Sequence, residues 1–242
     1  MFHDVKATGP VAGYAVSAPF LRGVIDLVVD AGTDGARDTA PLVLTFDDGL
    51  EGTFRNSLPH LIDARVSATL FVTTELLGRA GFMDAPMLRS WAANRMVVGS
   101  HGVTHRPLSL MSAAEARREL TESKARLEDL IGSAVTEFSF PGGNDSRALH
   151  AAALESGYRV VYTSRPAFTR LEDRVRPRFA VRATTDLSQV ESLRQGHIPW
   201  PWWTDRLRWT VKRIVGAGTY RAIRRRLVGR TSPADRFVVG EP

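Results

Sequence analysis

The chain alternates short apolar runs with longer stretches that repeat at helical intervals. Leu42-Val43-Leu44-Thr45-Phe46 is apolar and partly β-branched and stops at polar residues, which predicts a buried strand. Phe54, Leu58, Leu61 and Ile62 then recur with helical spacing, so 54–64 is expected to be a helix. The same alternation continues. Strands are expected over 68–72, 96–99, 137–140 and 159–163, and helices over 87–93, 112–131 and 146–156. Ser112 and Glu115 form an S-x-x-E capping box at the start of the longest helix, and Gly132 ends it. Polar motifs fall just after the strand C-termini. That layout is the one of a parallel β/α barrel, whose site forms at the C-terminal ends of its strands, here with six or seven strands.

Two of those strand ends carry chemistry. Asp47-Asp48-Gly49 follows the first, and Ser100-His101-Gly102-Val103-Thr104-His105 follows the strand expected at 96–99. Adjacent residues at a strand end point in different directions, so one carboxylate is free to bind a cation while the other faces a substrate. Two histidines four apart share a face wherever the backbone turns tightly. One Asp and two His can hold a divalent cation and leave positions open for water. Taken singly, the acids also suit a helix N-cap or a solvated loop, and the histidines a polar surface. A glycosidase would need two carboxylates about 5–9 Å apart on different strands, which an adjacent pair does not supply.

The motifs resemble those of the polysaccharide deacetylase family, also called the NodB-homology or carbohydrate esterase 4 family. Thr45-Phe46-Asp47-Asp48-Gly49 and the H-x3-H segment are similar to its first two motifs. Ala68-Thr69-Leu70-Phe71-Val72 is similar to its ATFF strand, and the segment from Glu119 to Leu127 to its ExxxSKxxLE helix. Phe138-Ser139-Phe140-Pro141-Gly142-Gly143 resembles the FAYPYG form of the third motif, and Gly157-Tyr158 the AGY that follows.

The resemblance covers about residues 1–185. It implies a distorted (β/α)7-type barrel that removes acetyl groups from N-acetylhexosamine units of a polysaccharide or its lipid-linked precursor. Exopolysaccharide or adhesin biosynthesis is the setting it suggests. Carried over by position, Asp48, His101 and His105 match the metal ligands, and Asp47 matches the general base. Zinc is the metal expected, with cobalt or nickel able to substitute. Pro141, Gly142 and Gly143 match a substrate-binding turn.

Two departures stand out. Ser139 occupies the place where the third motif often has an arginine that steers the base. The late Leu-x-His motif that supplies the general acid is missing, and His197 has a different context. Phe2-His3-Asp4-Val5 resembles the opening of circularly permuted deacetylases, which implies His3 as the acid. A catalytically silent glycan-binding module on the same barrel is the alternative.

Charge and composition change the picture at one place. The 242 residues carry a net charge of +6 and no cysteine, which excludes disulfides and thiolate ligands and fits a reducing compartment. Met1-Phe2-His3-Asp4-Val5 lacks the pattern of a secretory leader, so a cytoplasmic location is expected. Residues 1–196 are nearly neutral, residues 197–230 sum to +8, and 231–242 form a short tail. Four of the five tryptophans lie in the basic segment. The expected organisation is therefore a barrel over 1–196, a basic segment over 197–230 and the tail.

Two short helices, 206–215 and 219–228, are expected within the basic segment. Trp202, Trp203, Trp209, Arg221, Arg224 and Arg225 would place it on an anionic membrane surface, making the protein peripheral on the inner face. A helical hairpin packed on the barrel is the other reading. Nucleic-acid binding is not expected, because the charge is local and no motif for it is present.

Overall fold

A computed structural model describes residues 1–33 and 42–215. The chain opens with two short strands, β1 (Asp4–Lys6) and β2 (Ala15–Ser17), which pair in parallel, and helix α1 (Ala18–Thr33). The strands expected from the pattern follow: β3 (Leu44–Phe46), β4 (Ala68–Val72), β5 (Val97–Ser100), β6 (Glu137–Ser139) and β7 (Val160–Thr163). A sixth, β8 (Val175–Pro177), has no apolar run to announce it and is only half-buried. All six pair in sequence order and in parallel, giving a curled half-barrel sheet.

Helices α2 (Glu51–Asp63), α3 (Ala85–Ala93), α4 (Ala113–Ile131) and α5 (Arg147–Glu155) connect successive strands. Two more, α6 (Leu187–Arg194) and α7 (Trp200–Val215), follow β8. The capping box at Ser112 and Glu115 forms in full, and Gly132 ends α4 in the left-handed conformation with φ 69°. A cap of this kind is worth about 1 kcal/mol. Ala116, Leu120 and Leu127 of α4 are buried, at the spacing expected of one helix face.

The N-terminal residues close the gap between the two edges of the sheet. On one side the Phe2 nitrogen donates to the Thr45 carbonyl at 2.8 Å, and the Asp47 nitrogen donates to the Phe2 carbonyl at 2.9 Å. On the other, the Met1 nitrogen donates to the Phe179 carbonyl and the Val181 nitrogen to the Met1 carbonyl, both at 2.9 Å. Phe2 is buried and stacks on Phe46 at 5.3 Å. Thr53 Oγ1 donates to the His3 carbonyl at 2.6 Å, and Asn56 Nδ2 to the Val5 carbonyl at 2.7 Å. Helix α2 thus fixes the whole opening segment.

The start of the basic segment behaves differently from the expectation. Helix α7 begins at Trp200, and its first turns pack on the stretch after β8. Trp202 is 1% exposed, donates from Nε1 to the Ala180 carbonyl at 2.7 Å, and meets Phe179 edge-on at 5.8 Å. Asp205 pairs with Arg182 at 2.6 Å. Trp202 is therefore a core residue and not a membrane-facing one, because its indole has an apolar wall and a carbonyl acceptor inside the fold. Trp200 and Trp203 are exposed, and Trp209 lies on the same helix. The helix expected over 219–228, with Arg221, Arg224 and Arg225, and the tail over 231–242 lie outside the described residues. No helix among the described residues is long and apolar enough to cross a membrane.

Candidate metal centre

Three strand ends build the site. Asp47 and Asp48 follow β3, His101 follows β5, and Ser139 ends β6. The loop after β5 then turns so that His105 comes back beside His101, with ring centroids 5.1 Å apart. His105 Nε2 lies 3.1 Å and His101 Nε2 3.5 Å from the same Asp48 Oδ1. One ligand atom from each of the three residues falls within 4.8 Å of the others. Asp48 and His105 hold φ of 75° and 64°, in the left-handed region that non-glycine residues rarely occupy. Arg65 and Arg95, the other such residues described, follow the ends of α2 and α3, where that conformation is ordinary. At the two acid–histidine positions no helix end accounts for it, and strain of this sort gathers where function holds the backbone.

The donor set suits a cation. His101 Nδ1 is 2.8 Å from the Ser139 carbonyl, which can only accept, so Nδ1 carries the proton. In the neutral ring His101 Nε2 is then a bare lone pair, and it faces a carboxylate oxygen. Asp48 Oδ1 is buried and has no hydrogen-bond donor of proper geometry. The His101 lone pair and the carboxylate repel one another unless a positive charge lies among them, supplied by a proton on His105 or by a bound cation. A divalent ion bound by one carboxylate and two imidazoles, each imidazole oriented by an outer partner, answers that need.

Charge states follow the burial and the neighbours. Burial holds His101 neutral, bringing its pKa down to about 4. Burial also works against a charge on His105, but contact with Asp48 and the nearby Asp47 and Glu119 carboxylates outweigh it and raise its pKa. Asp48 is held well below the usual carboxylate range: burial opposes this, and His105, His3 and His101 overcome it.

Asp47 is 2% exposed and is held by a residue the sequence reading did not single out. Arg178, just past β8, donates from its two terminal nitrogens to Asp47 Oδ1 at 2.7 Å and Oδ2 at 2.8 Å. It also donates to Ser139 Oγ at 2.6 Å and Thr45 Oγ1 at 3.1 Å. The guanidinium lies 5.1 Å from the Phe71 ring centre and 5.6 Å from that of Tyr162. Burial would push the Asp47 pKa up, yet Arg178 chiefly, with His101 and His3, brings it below the ordinary value. The arginine missing at Ser139 is thus present in space, brought in from a position 39 residues later. A charged residue leading the apolar run Phe179-Ala180-Val181 after an unrecognised strand was the only signal for it.

His3 lies on the closing N-terminal segment, near enough to Asp47 and Asp48 to influence both their charges. Its ring packs on Tyr14 at 4.7 Å, and its buried Nδ1 has no hydrogen-bond partner. Pro141, Gly142 and Gly143 form a tight turn after β6. Gly142 and Gly143 have φ of 63° and 61°, and the nearest groups to Gly142 include Pro107, two residues past His105. The turn therefore borders the histidine loop.

A curled parallel β/α sheet carries an Asp-His-His cluster that could hold a metal ion, beside a buried, arginine-held Asp, at its C-terminal edge. The chain belongs to the polysaccharide deacetylase family, whose model matches residues 34–161. It is 23% identical over 125 residues to YxkH of Bacillus subtilis, a match over 52% of this chain and 45% of that protein. The chain spans about half the length of the curated relatives it matches. Its fold is shared with a polysaccharide deacetylase from Bacillus cereus, with TM-score 0.69, 20% identity, and coverage of 79% of this chain and 66% of that one. It is shared also with IcaB from Ammonifex degensii, with TM-score 0.66, 21% identity, and coverage of 80% and 94%.

Proposed function

We propose that this protein is a divalent-metal-dependent hydrolase that removes acetyl groups from N-acetylhexosamine units of a glycan. The observation that carries the reading is the convergence of His101 Nε2, His105 Nε2 and Asp48 Oδ1, with the His101 Nε2 lone pair facing that oxygen. Asp48, His101 and His105 would hold the ion, zinc by preference, with cobalt or nickel as substitutes. When bound there, the ion supplies Lewis acidity to an acetyl carbonyl and to water.

The chain's own residues supply the rest. Asp47 acts as general base, since its carboxylate is buried beside His101, with Asp47 Oδ2 4.0 Å from Nε2. Arg178 fixes both Asp47 oxygens and keeps the carboxylate charged, so it is ready to take a proton. His3 acts as general acid and hands a proton to the leaving amide nitrogen, which leaves poorly without one. The Pro141-Gly142-Gly143 turn borders the sugar. The arginine contact to Asp47 favours this reading over a silent glycan-binding module.

The basic segment 197–230 is assigned to an anionic membrane surface, which would bring the barrel mouth to lipid-linked glycans on the cytoplasmic face. The apolar contacts are reassigned to Trp200, Trp203 and Leu207, which are exposed at 77%, 49% and 66% and recur along α7. Acetate release from N-acetylglucosamine oligomers, measured before and after chelation, tests the chemistry. Release that chelation stops and zinc restores supports it, and release indifferent to chelation contradicts it.

A further inference from the structure

Glu119 is a carboxylate that the proposed chemistry does not use, yet it is only 6% exposed. It sits on the inner face of α4 and accepts three hydrogen bonds from the loop that carries the histidines. Val103 N donates to Oε2 at 2.6 Å, Thr104 N to Oε2 at 3.1 Å, and Thr104 Oγ1 to Oε1 at 2.7 Å. Thr104 Oγ1 in turn accepts from Arg106 N at 3.3 Å, so the residues on both sides of His105 are tied to one side chain. One turn further along α4, Ser123 Oγ accepts from Ser100 Oγ at 2.7 Å, and Ser100 Oγ accepts from Gly102 N at 3.1 Å. The loop carbonyls are taken from the opposite side: Thr74 N donates to Gly102 O at 3.1 Å and Glu75 N to Val103 O at 3.0 Å.

We infer that Glu119 is the positioning residue that shapes the 102–105 turn and so brings His105 Nε2 to the cation. This rests on the reading of Asp48, His101 and His105 as a metal site. Three features converge on it. His105 has a left-handed backbone, a conformation uncommon outside glycine, next to the residues that Glu119 binds. The loop presents two backbone N–H groups in succession to one buried carboxylate, which charge-assisted bonds stabilise strongly. Gly102, between the histidines, has φ 84°, and a Cβ there would lie 2.8 Å from Glu119 Oε2. The glycine of the H-G-V-T-H segment is therefore the space in which this carboxylate sits. A regular helix is a rigid support, and α4 is the longest in the described structure, so the loop inherits its geometry.

Cobalt binding to the metal-free protein is the test, with affinity and visible absorption as readouts and circular dichroism as the check on folding. Glu119→Ala is expected to weaken cobalt binding about 10–100-fold, the usual effect of losing an outer partner of a ligand. It should also alter the absorption bands, since His105 moves relative to the ion. Glu119→Gln keeps an oxygen for the two N–H groups and an amide for the Thr104 hydroxyl, and should stay within about fivefold of the parent. Thr104→Val, which leaves Glu119 in place, should fall between them. Unchanged affinity and bands in folded Glu119→Ala overturn the inference. If Glu119→Ala does not fold, unchanged affinity in Thr104→Val overturns it. Failure of the unmodified protein to bind cobalt would instead sink the metal reading itself.

Discussion

Arg178 shows what one residue does in this site and what leaves it hidden. It neutralises a buried carboxylate, and removing one partner of such a pair costs about 3–5 kcal/mol because the other charge stays buried and unpaired. Arg178→Met should therefore destabilise the fold and slow turnover by about 10²-fold as Asp47 loses its orientation. Arg178→Lys should recover little turnover, since a point charge does not grip two oxygens. The pH dependence separates this from a packing effect. With Arg178, Asp47 titrates below its ordinary value, so its stabilisation is complete above that value and is lost as pH falls through the lower native one. Without Arg178, burial is opposed only by His101 and His3, so the native value should rise and the variant should lose less stability than the parent as pH falls. Urea unfolding of both proteins at several pH values reads the sign. The proposed metal ligands give a second expectation. His105 titrates above the ordinary histidine value and His101 near 4, so one proton competes with the ion between them. Apparent metal affinity should fall about tenfold per pH unit below the His105 value, with a slope near one and not two. Asp47, Asp48, His101 and His105 were legible because each stands beside a strand the pattern announces. Arg178 was not, because β8 has too little apolar character to be seen and pairing of side chains across the sheet is invisible to spacing.

At the scale of elements, the strands over β3 to β7 and helices α2 to α5 were readable because each buries a face against the next, so periodicity records the packing. The N-terminal residues were different. Their role depends on hydrogen bonds to Thr45 and Val181, far apart in sequence, and residue spacing holds no trace of that closure. Only the motif resemblance pointed to His3. His3→Ala should lower kcat by about 10²–10⁴-fold with metal content intact if it is the acid. Loss of metal together with activity would make it structural. Helix α7 was half legible: its amphipathic pattern was plain, but the inward turn of Trp202 was not, because Trp200, Trp202 and Trp203 look alike in a row. Trp202→Ala should cost about 3–5 kcal/mol, as expected for a buried indole, whereas Trp203→Ala, at a half-exposed position, should cost less. Thermal unfolding of the two variants distinguishes them. The same packing implies that cutting the chain after Gly196 exposes the Phe179 surface and lowers stability. A lipid-binding test therefore needs surface substitutions at Trp200 and Trp203 in place of truncation.

For the whole molecule, charge is divided unevenly, with a nearly neutral barrel and +8 in 197–230. Each basic residue near an anionic surface is worth about 1 kcal/mol, and salt screens this attraction while leaving apolar insertion intact. Co-sedimentation with anionic vesicles should fall with salt, and combined Trp200→Ser and Trp203→Ser should lower the part that salt leaves. Vesicle binding that ignores both changes would place the contact elsewhere. The central claim, however, is that the barrel mouth is a metal-dependent deacetylase site. The most direct measurement is metal content, together with acetate release from N-acetylglucosamine oligomers, for the parent protein and for His101→Ala, His105→Ala and Asp47→Asn. One divalent ion per parent chain is expected. The two histidine variants should lose both ion and activity, and Asp47→Asn should retain the ion with no acetate release. Stoichiometric metal and undiminished acetate release in the histidine variants would contradict it.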